Sequence, residues 1–210
     1  SESGSIVFEV ANPYREGNAV IAAKDASGTI LWSWHIWLTD EPQEQVYNNN
    51  AGTMMDRNLG ATSATLDELV GSYGLLYQWG RKDPFLAARD WDPYDETNEP
   101  GSTIIWPSTV LSNSSNGTID YTIKNPTTFI TWNSSNCDWY YTGDSSTDNT
   151  RWQSEKTIYD PCPPGWRVPH LDDWSNFTSM ATFSLEYPKA GYAVSVFFFL
   201  YHVKKRCDKI

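Results

Sequence analysis

The stretch that most constrains this chain runs Asp160-Pro161-Cys162-Pro163-Pro164-Gly165-Trp166-Arg167-Val168-Pro169. Each proline locks its own φ and pushes the preceding residue towards extended conformations, so the segment is a rigid, non-helical entry. Pro169 cannot continue a preceding helix but suits the approach to a new one. Leu171, Trp174, Phe177 and Met180 then recur at helical spacing, which predicts a short amphipathic helix from near residue 171. Trp166 and Val168 alternate on the extended part and are expected to point the same way, into a core. The stretch reads as a stiff buried turn clamping one helix onto the body. The density of tryptophan argues against the alternative, a proline-rich surface loop.

A 210-residue chain can bury a real core as one large or two small domains, and 40% apolar content with eleven tryptophans argues for a folded protein. A net charge of −11 and the absence of a basic stripe argue against nucleic acid, whose phosphates need neutralising. The three cysteines have no CxxC spacing and make no zinc site. Cys137 and Cys162 could pair in an exported protein, leaving Cys207 odd; free buried thiols are the equal alternative. The chain begins at a serine without a signal peptide, so it reads as a processed product or a fragment. Sequons at Asn113, Asn116, Asn133 and Asn176 read as polar-loop composition.

From the N-terminus, residues 5–10 alternate as a strand and Asn12-Pro13 ends them. Residues 17–24 predict a second strand, Asp25-Ala26-Ser27-Gly28 a turn, and residues 29–39 a third strand. In the last, Trp32, Trp34, Ile36 and Leu38 share one face and Leu31, Ser33, His35 and Trp37 the other, which predicts cover on both sides. His35 has no metal-ligand partner nearby and reads as a hydrogen-bonded core histidine. Asp40 to Asn50 reads as a polar linker, and residues 53–60 as the first element of the next unit. Arg57, beside Asp56, reads as a structural ion-pair residue. A helix with acids in its first turn is expected after Thr65, and Gly71 and Gly74 interrupt it. Residues 75–80 restart an apolar run that Arg81-Lys82-Asp83-Pro84 closes.

Residues 86–155 are polar and rich in Asn, Ser, Thr and Trp, and predict loops with short strands at 102–106 and 118–123. Long loops on a rigid scaffold are where binding usually resides. The acids of Asp90–Glu96 lack the glycine and closing glutamate of a calcium loop and read as solvated charge. Trp139, Tyr140, Tyr141 and Asp144, in Cys137–Asp144, are the candidate ligand-binding residues. Large flat rings beside small polar residues supply contact area at little entropic cost. The alternative is that alternate members of the run face the core. Residues 190–203 form a fourteen-residue apolar run, short of the ~20 that a spanning helix needs, and read as a buried strand. From residue 189 onward five Lys/Arg and one Asp give +4, against ten basic and twenty-five acidic residues before it, −15.

Cys162-Pro163-Pro164-Gly165-Trp166-Arg167-Val168-Pro169 followed by Trp174 resembles the CPxGWRVP…W signature of the Fibrobacter succinogenes major paralogous domain. Met55-Asp56-Arg57-Asn58-Leu59-Gly60-Ala61 and Gly74 to Phe85 resemble the MDRNLGA…GxxYQWGRKDPF part of the same family, found in fimbrillin-like surface proteins of Bacteroidota. The resemblance spans about residues 46–180. It implies a C-type-lectin-like fold, with Tyr77-Gln78-Trp79-Gly80-Arg81 on a core helix. Residues 17–37 also resemble the closing strands of the β-sandwich domain that commonly precedes such modules. The expected class is therefore α+β, with few helices and long loops: sandwich strands over 1–42, a lectin-like module over 43–188, and an atypical tail over 189–210. That tail departs from the Gly- and aromatic-rich strands the family normally carries there.

The resemblance implies a non-catalytic adhesin module, extracellular or on the outer-membrane surface, fimbria-associated or tip-like, binding glycan or protein through residues 86–155. Enzyme motifs such as HExxH, GxSxG and the P-loop are missing, and no cofactor, metal or nucleic acid is expected. Formylglycine-generating enzymes share the lectin-like fold, but the reactive cysteine pair they depend on is not seen here. Membrane contact would require a lipid anchor or tail that the sequence does not establish. A structural pilus subunit assembling by strand addition, through residues 1–40 or 190–203, is the alternative from another class. A hypervariable binding protein on the same fold is a further one.

Overall fold

A computed structural model describes residues 6–47, 52–65, 69–72, 74–86, 108–132, 138–146, 151–152 and 155–169. Alternating, β-branched and aromatic residues make β1 (Gly17–Lys24) and β2 (Ile30–Leu38) an antiparallel hairpin, as the sequence predicts. Its turn is built by one carboxylate: Asp25 accepts from the Ser27 hydroxyl at 2.6 Å and from the Ser27 and Thr29 amides at 2.9 Å. Those bonds hold the Asp25 carboxyl below its ordinary pKa, the Ser27 hydroxyl contributing most.

Residues 6–10 correct the first expectation. They lie outside any strand, with Val7 91% exposed, because no described strand supplies the ladder partners their amides and carbonyls would need. Cover of β2 is uneven. Trp32, Trp34, Ile36 and Leu38 are half-buried, Ser33 is fully buried, and Leu31 is exposed.

The expected linker contains a strand. β3 (Glu44–Tyr47) pairs antiparallel with β4 (Gly52–Met55), a pairing that the run of Gln, Glu and Asn conceals from hydropathy alone. Beyond β4, the buried Arg57 reaches the carboxylates of Asp40 and Asp56 and the Thr39 hydroxyl, tying the end of β2 to the chain after β4. These contacts raise the guanidinium pKa, the Asp56 bond first. Arg57 is the structural ion-pair residue the sequence predicted.

α1 (Leu69–Ser72) is one short turn, and residues 66–68 lie outside the described residues. The expected core helix over Tyr77–Arg81 is corrected to a hairpin: β5 (Leu75–Tyr77) pairs antiparallel with β6 (Pro84–Leu86). Leu75 and Tyr77 point inward at strand spacing, and the Arg81 amide bonds the Gln78 carbonyl across the turn. Gly80, at φ +77°, occupies the third turn position, where a positive φ favours glycine. A Cβ there would lie 2.3 Å from the Arg151 Cβ.

The expected strand at 118–123 is also corrected. It is α2 (Ile119–Lys124), whose first turn is capped by the Thr118 hydroxyl on the Tyr121 amide. Asp120 pairs with Lys124 at 2.7 Å, one helical turn on. Cap, charge pair and the stop at Asn125-Pro126 together outweigh the period-two alternation of Ile119, Tyr121 and Ile123. α2 connects β7 (Thr109–Leu111) to β8 (Phe129–Thr131), which run parallel.

The described chain is thus α+β: four two-stranded sheets, two short helices and much irregular chain. Leu75, Tyr77, Trp152 and Val168 form a buried cluster, with Leu59, Trp79 and Cys162 packed against it. No described helix is long and apolar enough to cross a membrane. The expected strand at 102–106, the acidic run 90–96, the helix after 171 and the 189–210 tail lie outside the described residues.

The β1–β2 hairpin rests on the rest of the chain through polar bonds as well as rings. Buried Ser33 donates to Asp83 at 2.6 Å, Lys82 donates to the Ser33 carbonyl, and the Trp37 indole donates to the Ala61 carbonyl. The Lys82 ammonium, whose pKa burial lowers, also lies 4.5 Å from the centre of the Trp32 ring. His35 bonds Asn18 at 2.9 Å and the Tyr77 hydroxyl at 3.0 Å, as a hydrogen-bonded core histidine should. Burial brings its pKa down to about 4.

Candidate functional site

The segment 138–146 carries the four residues selected from sequence, and it rests on a buried polar base. Arg81, 2% exposed, donates to the Gln78 side chain and to the carbonyls of Asn125, Pro126 and Thr128. These carbonyls follow the C-terminal end of α2, where a cation is favoured. Burial still brings the Arg81 pKa down to about 10. Gln78 also bonds both the amide and the carbonyl of Ile130, so its side chain serves as a short strand partner for β8.

On this base sits Trp139, 3% exposed. Its indole donates to the Trp79 carbonyl at 2.7 Å, and its own carbonyl accepts from the Ser112 hydroxyl. The Arg151 guanidinium lies 4.7 Å from its ring centre and forms an ion pair with Asp138. Trp139 is therefore a core residue and offers no ring to a ligand. Tyr140 is half-buried, with the same guanidinium 4.9 Å from its ring. Tyr141 is held by its amide on the Gly117 carbonyl and is 36% exposed. Asp144 is exposed and accepts from the Ser146 amide; bonds from Ser146, the hydroxyl first, hold its carboxyl below the ordinary range. The aromatic run thus alternates between inside and outside, leaving Tyr141, Asp144 and part of Tyr140 as the surface.

A second concave face was not predicted. A cleft of about 430 Å³ is lined by Glu44, Thr53 and Met54 from the β3–β4 hairpin and by Gly165, Trp166, Arg167 and Pro169 from the proline-rich stretch. Its loop wall is fixed by Asp160, whose carboxylate accepts from the Cys162 and Val168 amides at 2.9 Å each and pairs with Lys156. A single buried carboxylate thereby holds both ends of the proline turn. The Trp166 amide bonds the Pro163 carbonyl, and Gly165 takes φ +84°. Val168 enters the core as expected, while Trp166 stays half-buried at the cleft. Its position two residues from Val168 signals a core residue; the glycine before it, which turns the chain, is the signal for the opposite outcome. Cys162 carries a free thiol whose pKa burial raises, and Cys137 lies outside the described residues.

Among the described residues no three His, Cys, Asp or Glu side chains gather as a metal site. Comparison with family models, with curated proteins and with solved structures finds no match to the chain. What the described residues define is an α+β arrangement of small paired sheets that carries a polar–aromatic surface and an open cleft.

Proposed function

We propose that the chain is a non-catalytic, adhesin-type module, secreted or displayed at the cell surface as a fimbria-associated or tip-like subunit. It binds glycan or protein within the 86–155 region. In this reading residues 43–188 form a C-type-lectin-like module and residues 1–42 are closing strands of a preceding β-sandwich domain. The signatures at Met55–Ala61, Gly74–Phe85 and Cys162–Pro169 support the family reading. The observation that carries the binding role is the 138–146 segment. Trp139, Arg151 and Ser112 hold it from beneath while Tyr141 and Asp144 face outward, a rigid aromatic and polar surface of the kind binding proteins present. The test is an array of glycans and surface proteins probed with the intact chain and with Tyr141→Ala. Loss of specific signal in a folded Tyr141→Ala variant is expected; equal signal from both proteins, or none from either, would overturn the reading.

One observation favours a structural subunit assembling by strand addition instead. Ile6, Val7, Phe8 and Val10 form an exposed apolar run with strand alternation and no strand partner among the described residues. Under that reading sedimentation velocity shows concentration-dependent association that Val7→Lys/Phe8→Lys abolishes. A monomer at all concentrations would exclude association through this run.

A further inference from the structure

We infer that the cleft between the β3–β4 hairpin and residues 165–169 is a binding site for a neutral sugar ring, separate from the 138–146 face. Its volume of about 430 Å³ falls inside the ~300–1,000 Å³ of small-ligand sites. Its lining combines an acceptor-only carboxylate in Glu44, a donor-only guanidinium in Arg167 and a hydroxyl in Thr53 that does both. Neighbouring sugar hydroxyls, each donor and acceptor at once, are the ligand groups such a set satisfies. Trp166 adds an aromatic wall against which the C–H face of a pyranose can pack.

Charge narrows the class. One acid and one base leave the lining without net charge, and a chain of net −11 repels an anionic sugar at long range. The wall is also built before any ligand arrives. Asp160 fixes the loop ends, Pro161, Pro163, Pro164 and Pro169 remove backbone freedom, and the Arg167 guanidinium is oriented by its bond to the Val168 carbonyl at 3.2 Å. Little ordering entropy is then left for binding to overcome. Gly165 lines the cleft beside open space: a Cβ there would meet no atom within 4 Å. Together these features account for a tryptophan left half-exposed on a rigid loop.

The test is a titration of the isotope-labelled intact chain with neutral methyl hexosides and N-acetylhexosamines, with glucuronic acid as the charged comparator. The reporter is the Trp166 indole N–H signal, identified by its disappearance in Trp166→Phe. Saturable shifts with at least one neutral sugar, at millimolar affinity, are expected. About tenfold weaker binding in Glu44→Gln and loss in Trp166→Ala should follow. Should Trp166→Ala fail to fold, Glu44→Gln and Thr53→Val, both at exposed strand positions, read the same site. No response to any neutral sugar, unchanged affinity in the folded cleft variants, or equal binding of glucuronic acid would overturn the inference. Tyr141→Ala should leave this titration unchanged even if it abolishes array binding; loss here would refute a separate site.

Discussion

Segments 138–146 and 160–169 are both short, irregular, and pinned by one aspartate, yet they place their tryptophans oppositely. Asp138 pairs with a buried guanidinium, and that cation lies against Trp139 and draws it into the core. Asp160 instead gathers backbone amides at the two ends of a proline turn, so Val168 goes inside and Trp166 remains at a cleft. Hydrophobicity would bury both rings. Each carboxylate holds a cation and backbone amide, Asp138 accepting also from the Tyr140 amide at 3.2 Å. What differs is that the Arg151 cation of the first lies against the Trp139 ring, whereas the Lys156 cation of the second bonds the Cys162 carbonyl.

The sharpest way to break this comparison is Asp138→Ala. It takes the carboxylate from Arg151, 3% exposed, and should cost about 3–5 kcal/mol in urea unfolding. A loss below ~1 kcal/mol would mean that Trp139 is held without the Asp138–Arg151 pair, by its bonds with Trp79 and Ser112 and by its ring contacts. Next comes Gly80→Ala, which meets both a positive φ and the Arg151 side chain at 2.3 Å; about 3 kcal/mol is expected. Asp160→Asn keeps one acceptor but forfeits an amide bond and the Lys156 charge pair, for about 2 kcal/mol. It should also speed amide exchange at Cys162 and Val168 while sparing Tyr141.

Acid should act on the side of the core that carries Val168, since His35 bonds Tyr77 of that cluster. The folded pKa of about 4 lies below the ordinary 6.5, so the unfolded chain binds the extra proton. This contribution is present above pH 6.5 and is lost as the pH falls towards 4. Discounted for partial exposure, it amounts to ~1–2 kcal/mol. His35→Gln should flatten the stability profile across that window, and an unaltered slope would refute the assignment. The smallest effect belongs to Gly165→Ala, at about 1 kcal/mol. There φ alone is strained and nothing lies in the way, in contrast to Gly80.

What the sequence discloses follows from how local each determinant is. The β1–β2 hairpin is legible because alternation and an Asx turn lie within one short span. Val168 is legible as core for the same reason. The β5–β6 hairpin is not, because Leu75 and Leu76 followed by Tyr77 suit either period and the decision rests on Gly80 and on pairing with Pro84–Leu86. α2 is misread because its cap and charge pair compete with an equally good strand alternation. Of the candidate site, Tyr141 and Asp144 are legible as surface, whereas the burial of Trp139 depends on Arg151, twelve residues further along. The cleft is invisible in sequence, since its walls meet only through folding.

The most direct test is fluorine spectroscopy of the chain with all eleven tryptophans 5-fluoro-labelled, with and without a soluble paramagnetic reagent. Trp139→Phe and Trp166→Phe assign the two signals that matter. Strong broadening of Trp166 and little of Trp139 is the expected result. Equal broadening of both, or broadening of Trp139 alone, would contradict it.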